Sequence, residues 1–87
     1  DARERAALTD LRQTLTRLPA DADSEAIQTE IYRIGKTQDF EPLRDWFKAL
    51  YETLLGQSQG PRFGSFVALF GRAETIALID AALARDA

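Results

Sequence analysis

Arg62 stands beside Phe63 where the run LLGQSQGPRFGSFVALFG, residues 54–71, leaves a glycine loop and restarts a helix. A guanidinium at such a junction can pair with a phosphate or stack on an unpaired base. The expected helix mouth at Gly60-Pro61 would add free backbone N–H groups and the positive end of a helix dipole. The competing use of Arg62 is to anchor a neighbouring carboxylate or helix end. Gln57, Ser58 and Gln59 supply uncharged amide and hydroxyl groups, the chemistry that reads base edges in a single strand, and equally that of a solvated loop. Arg44, Lys48 and Tyr51 follow at steps of four and three, a basic stripe ending in an aromatic ring that could track a phosphate backbone. Glu41, Asp45 and Glu52 are spaced to pair with the same cations inside one helix. Lys36 and Arg33 flank the expected end of another helix, where a cation caps the negative dipole end and phosphate contact is secondary.

The charge pattern draws attention to the same stretch. The chain has 87 residues and a formal net charge of -3. Residues 33–72 nevertheless hold six basic side chains against four acidic ones, and no acid lies between Thr53 and Ala73. With no cysteine and no histidine, the chain offers no disulfide, no thiolate or imidazole metal site, and no side chain that ordinarily titrates near neutrality. The carboxylates at Asp21 and Asp23 have no base or metal partner nearby, so no acid–base site is expected. No apolar run approaches the roughly 18–20 residues that span a membrane. The chain begins with Asp1 and lacks methionine, from which we expect a piece of a longer polypeptide.

These side chains need helices to position them, and the apolar spacing is helical throughout. Leu8, Leu11, Leu15 and Leu18 mark a first helix over 1–18 that Pro19 ends. Asp23 or Ser24 is the expected N-cap of a second helix with Ile27, Ile31 and Ile34 buried and Gly35 near its end. A third helix should run from about Pro42 to Gly56 on Leu43, Trp46, Phe47, Leu50 and Leu54. Phe63, Phe66, Val67 and Phe70 share one face of a fourth and read as core, with Gly71 closing it. Gly60 and Gly64 suit a close backbone approach, either to RNA or to the packed third helix. A fifth helix over 72–84 has Ile76, Ile79 and Leu83 in register. The expectation is one all-α domain over 1–87, a compact bundle of about five short helices.

Two segments, IYRIGKTQDFEPLRDWFKALYETLLGQSQGPRFGSFVALFG and ETIALIDAAL, carry a family resemblance. From about Ile27 to Leu83 the chain resembles the C-terminal region of class I lysyl-tRNA synthetases. Gly56-Gln57 followed by Gly60 to Phe66 is the most specific part, and Ile31-Tyr32, Ile34-Gly35-Lys36, Leu43-Arg44 and Trp46-Phe47 add matches. The resemblance implies an anticodon-binding α-helix cage, with the anticodon loop of a lysine tRNA and the rest of the synthetase chain as partners. With such a partner, the residues singled out above, Arg62, Gln57, Gln59, Arg44, Lys48 and Lys36, are the tRNA-binding candidates. It further implies a cytoplasmic setting, no membrane, no catalytic residue and no cofactor in these residues, with ATP and Mg2+ used by an N-terminal catalytic part. The runner-up is a structural or protein-interaction helical module with little direct RNA contact. A glutamyl-type synthetase tail is a third reading, disfavoured by the PRFGSF wording.

Overall fold

The first helix, α1 (Ala2–Arg17), buries Ala7, Leu8, Leu11 and Leu15 as their spacing predicts. A computed structural model describes residues 2–85, so Asp1, included in the expected first helix, lies outside the described residues. Buried Thr14 is satisfied by Asp10, whose Oδ1 accepts from its hydroxyl at 3.2 Å. Asp23, rather than Ser24, caps α2 (Ser24–Thr37), its Oδ1 accepting from the Ala26 N–H at 2.9 Å.

The end of α2 is built from the backbone. Asp39 takes a left-handed φ of 61°, which lets Phe40 N–H reach Gly35 O at 2.9 Å and Asp39 N–H reach Lys36 O at 3.2 Å. That is the Schellman arrangement, with aspartate where glycine is usual. The cation that reaches this end is Arg3 of α1, which donates to Asp39 O at 3.3 Å, and not Arg33 or Lys36 as expected. Arg33 instead turns back to Glu30 at 2.8 Å and Asp10 at 3.5 Å.

The third helix departs from expectation at both ends. Pro42 follows a cis peptide bond and lies before the helix rather than in its first turn. Bonds from Asp45 N–H to Pro42 O and from Trp46 N–H to Leu43 O, each at 3.0 Å, tighten the first turn of α3 (Arg44–Leu50). Tyr51–Leu55 then continues as a π-helical turn, which Gly56 ends at φ 70°. Helix α4 (Phe63–Phe70) and helix α5 (Arg72–Arg85) complete the chain. Among the described residues there are five α-helices and no strand, so the all-α bundle is the observed fold.

Trp46 and Phe63 anchor the core, both fully buried. Burying side chains of this kind is worth roughly 1.5–3 kcal/mol each. The Trp46 indole N–H donates to Ile31 O at 3.0 Å, and Gly35 leaves room for the ring, since a Cβ there would stand 2.7 Å from Trp46 Cδ1. Helices α1 and α5 lie antiparallel, with Arg5 donating to Leu83 O at 2.8 Å, Arg12 paired with Asp80, and Arg72 donating to Leu18 O and Pro19 O at 2.6 and 2.7 Å.

Helix α4 sits on α2. A Cβ on Gly64 would lie 2.5 Å from Ser24 O, so this glycine meets the second helix and not the third. Of the aromatic face assigned to the core, Phe63 and Val67 are buried and Phe66 partly so, whereas Phe70 is 45% exposed. The helix dives inward at Phe63 and climbs to the surface by its end, where Phe70 stacks on Phe66 at 5.0 Å. In α5 the buried row is Thr75, Ile79 and Ala82, with Ile76 and Leu83 at its margins.

Candidate nucleic-acid interface

Tyr51 organises the loop that carries the sequence's most specific run. Gln57 N–H bonds back to Tyr51 O at 3.2 Å, and the Tyr51 phenol donates to Pro61 O at 2.6 Å. Gly60 lies against the same ring, where a Cβ would approach Cδ1 to 3.2 Å. Both ends of loop 56–62 are therefore tied to one residue of the third helix. Burial and, less strongly, Tyr32 raise the pKa of the phenol, keeping it protonated as the donor this contact requires.

Beside the loop, Arg44, Asp45, Phe47, Lys48, Tyr51 and Ser58 line an open groove of about 500 Å³. Folding thus brings the basic stripe and the polar loop into one place, although they are separate in sequence. The intrahelical ion pairs with Glu41, Asp45 and Glu52 are absent: among the described residues Arg44 and Lys48 form no ion pair. Phe47 forms one aromatic wall and is held edge-to-face by Tyr32 with ring centroids 5.3 Å apart. The groove offers two cations without ion-pair partners, one carboxylate (Asp45), two aromatic side chains and a hydroxyl, which suits a phosphorylated planar group.

The other candidates are placed differently. Arg62 is paired with Glu25 through both carboxylate oxygens, the longer bond being 3.1 Å. Its guanidinium pKa is raised and the Glu25 carboxyl lowered, in each case chiefly by their mutual hydrogen bond. The side chains remain 47% and 67% exposed, so water and solutes reach the pair. The helix mouth expected at Gly60-Pro61 lies two residues further on. Helix α4 starts at Phe63, Arg62 occupies the N-cap position, and the Gly64 N–H is taken by Gln28 Oε1 at 2.6 Å.

Gln57 and Gln59 are exposed in the loop next to Ser58 but do not line the groove, and Lys36 is exposed on α2 away from its lining. Arg72, counted in the local positive bias, is consumed by the carbonyls at the end of α1. Sequence reasoning passed over Gln28 altogether. Its signal was available: a polar residue between Ile27 and Ile31, on the face that α2 buries.

Among the described residues no group of three or more histidine, cysteine, aspartate or glutamate side chains could hold a metal ion. None of the described helices is long and apolar enough to cross a membrane. No protein-family model matches the chain, and no solved structure matches it significantly. Curated proteins do. It is 59% identical over 83 residues to the lysine--tRNA ligase of Roseobacter denitrificans, covering 95% of this chain and 16% of that protein. It is 47% identical over 78 residues to the lysine--tRNA ligase of Rickettsia bellii, covering 90% of this chain and 15% of that protein. The Rickettsia felis protein of the same name is 46% identical over 76 residues, 87% of this chain and 14% of its own length. The chain therefore spans about a sixth of the length of the curated relatives it matches. Over nearly all of its own length, it corresponds to one segment of the lysyl-tRNA synthetases.

Proposed function

We propose that the chain is an anticodon-binding module of a class I lysyl-tRNA synthetase and that the groove beside Tyr51 receives unpaired nucleotides of the anticodon loop. The carrying observation is the pair Arg44 and Lys48, free of ion-pair partners, over a groove walled by Phe47 and Tyr51. The cations meet phosphate and a base stacks on a ring, while Ser58 with Gln57 and Gln59 faces base edges. Lysine anticodons are U-rich, and uridine stacks weakly, so hydrogen bonding from this loop would matter more than stacking alone. ATP with Mg2+ and lysine would be handled elsewhere in such a cytoplasmic enzyme, since these residues contribute binding and no chemistry.

The test is fluorescence anisotropy of a labelled lysine-tRNA anticodon stem–loop, titrated at several salt concentrations beside a loop-scrambled control. Removing two phosphate contacts from a single-stranded loop lowers the salt slope by roughly 1.4 in the Arg44→Ala/Lys48→Ala double variant. Unchanged affinity and slope in a folded double variant would refute the groove as the site. Equal binding of both RNAs would reduce it to backbone attraction.

A second reading, a helical module that braces a larger synthetase, is favoured by the internal use of Arg62, Arg72 and Arg33. It predicts no binding of either RNA, together with loss of stability in the larger protein when the segment is deleted.

A further inference from the structure

Glu25, Gln28, Tyr32 and Lys36 follow one another along α2 at steps of three, four and four, which puts them on one face of the helix. The start of α4 occupies the first half of that face, with Arg62 on Glu25 and the Gly64 N–H on Gln28 Oε1. The second half is open. Tyr32 is 42% exposed. Lys36 is exposed too and, among the described residues, has no ion-pair partner. The Tyr32 ring leans on Phe47, a wall of the groove, at an interplanar angle of 69°. In an edge-to-face contact each ring keeps at least one face that the other does not cover. The Tyr32 phenol also lies near enough to Tyr51 and Arg62 to raise the pKa of both. An exposed ring thus adjoins both the groove and Arg62, with Lys36 one helical turn away.

We infer that Tyr32 and Lys36 form a second nucleotide subsite beside the groove, the ring stacking on an unpaired base and the ammonium meeting a neighbouring phosphate. This deepens the anticodon reading and rests on its binding of unpaired nucleotides. Stacking asks only for an exposed ring, because every base has a π face. A lysine answers phosphate as a point charge on a flexible stem, so its position adjusts to the strand. Arg62 is already engaged by Glu25, which leaves the phosphate contact to Lys36. The subsite gives the strand a way out of the groove, over Phe47 and onto α2.

Two measurements test it. In the stem–loop titration Tyr32→Ala weakens binding about 5- to 150-fold, and Tyr32→Phe keeps most of the affinity. Lys36→Ala lowers the salt slope by roughly 0.7, a change that a merely structural residue would not produce. Full affinity in Tyr32→Ala, or an unchanged slope in Lys36→Ala, overturns the subsite. Should Tyr32→Ala fail to fold, Tyr32→Leu takes its place, filling the space beside Phe47 without an aromatic face. The second measurement is an NMR titration with uridine 5′-monophosphate, followed at the side chains of Tyr32, Lys36, Tyr51 and Ser58. Shifts at Tyr32 and Lys36 that persist in Arg44→Ala/Lys48→Ala are the expected result. Shifts at Tyr51 and Ser58 alone, or Tyr32 shifts that vanish in that double variant, overturn the subsite and leave the groove standing. Shifts at Tyr32 and Lys36 with none at Tyr51 and Ser58 keep the subsite and remove the groove. No shift at any of the four overturns both.

Discussion

Gly64→Ala should be the most damaging single-methyl change in the molecule. The new Cβ would lie 2.5 Å from the Ser24 carbonyl oxygen and 2.9 Å from Gln28 Cβ. Backbone cannot swing aside as a side chain can, so α2 and α4 must separate by roughly 0.9 Å to reach ordinary contact. The same movement stretches the 2.6 Å bond from Gly64 N–H to Gln28 Oε1 to about 3.5 Å, beyond useful range. Overpacking of this kind costs about 1–3 kcal/mol, and a buried donor left unpaired costs about 1–3 kcal/mol. Alanine's better helix propensity returns about 1 kcal/mol. At the middle of these ranges the net loss is about 3 kcal/mol, against a total stability of about 4–13 kcal/mol for a chain of this length. Thermal unfolding followed by circular dichroism at 222 nm should show Tm lowered by about 10–25 °C. Gly60→Ala is the internal control: its Cβ meets the rotatable Tyr51 ring at 3.2 Å and should cost less than about 1 kcal/mol. A Tm for Gly64→Ala within 3 °C of the parent, or an equal loss in both variants, would refute this account of how α4 is seated.

Two further outcomes follow from the same geometry. Asp39→Gly should raise stability by about 0.5–1 kcal/mol, because its φ of 61° suits glycine and the carbonyl that accepts from Arg3 is retained; an unchanged or lower midpoint in urea would count against it. Arg62 holds the Glu25 carboxyl below its ordinary value of 4.5, so the pair's stabilisation is complete above that value and is lost as pH falls through the lowered one. Acid titration of Glu25→Gln should therefore show a shallower decline below pH 4.5 than the parent, with the difference shrinking in high salt; identical acid profiles at low salt would remove the pair from the stability balance.

The helices were legible because glycine, proline and aspartate mark their ends. Asp23 as a cap, Gly56 as a stop and the Leu8, Leu11, Leu15 row act through local geometry that a few neighbouring residues determine. The site was legible in pieces. Arg44 with Lys48, and Ser58 with its glutamines, could be found separately, but their meeting in one groove depends on the π-helical turn and on Tyr51 reaching Pro61. A π turn has no compositional mark in YETLL, and the reach of Tyr51 to Pro61 spans ten positions of the sequence. Arg62 was ambiguous for a related reason: its partner Glu25 is 37 residues away, a distance at which spacing rules are silent. Phe70 misled because helical periodicity gives the direction of a side chain and not its depth.

The antiparallel pairing of α1 with α5 has a mechanical consequence. Residues 2 and 85 leave the bundle at the same end, and the ties between the two helices are stacked in order behind them. Arg5 to Leu83 comes first, Arg12 to Asp80 next, and Arg72 to Leu18 last. Tension applied through the ends loads these ties one after another, so the pair peels like a zipper instead of resisting in shear. The last tie to part sits where α1 hands over to α2, and behind it Trp46 still clasps the Ile31 carbonyl. Pulled from both ends, the molecule would surrender its outer helices early and keep the Trp46 clasp, with the groove that α3 carries, until late.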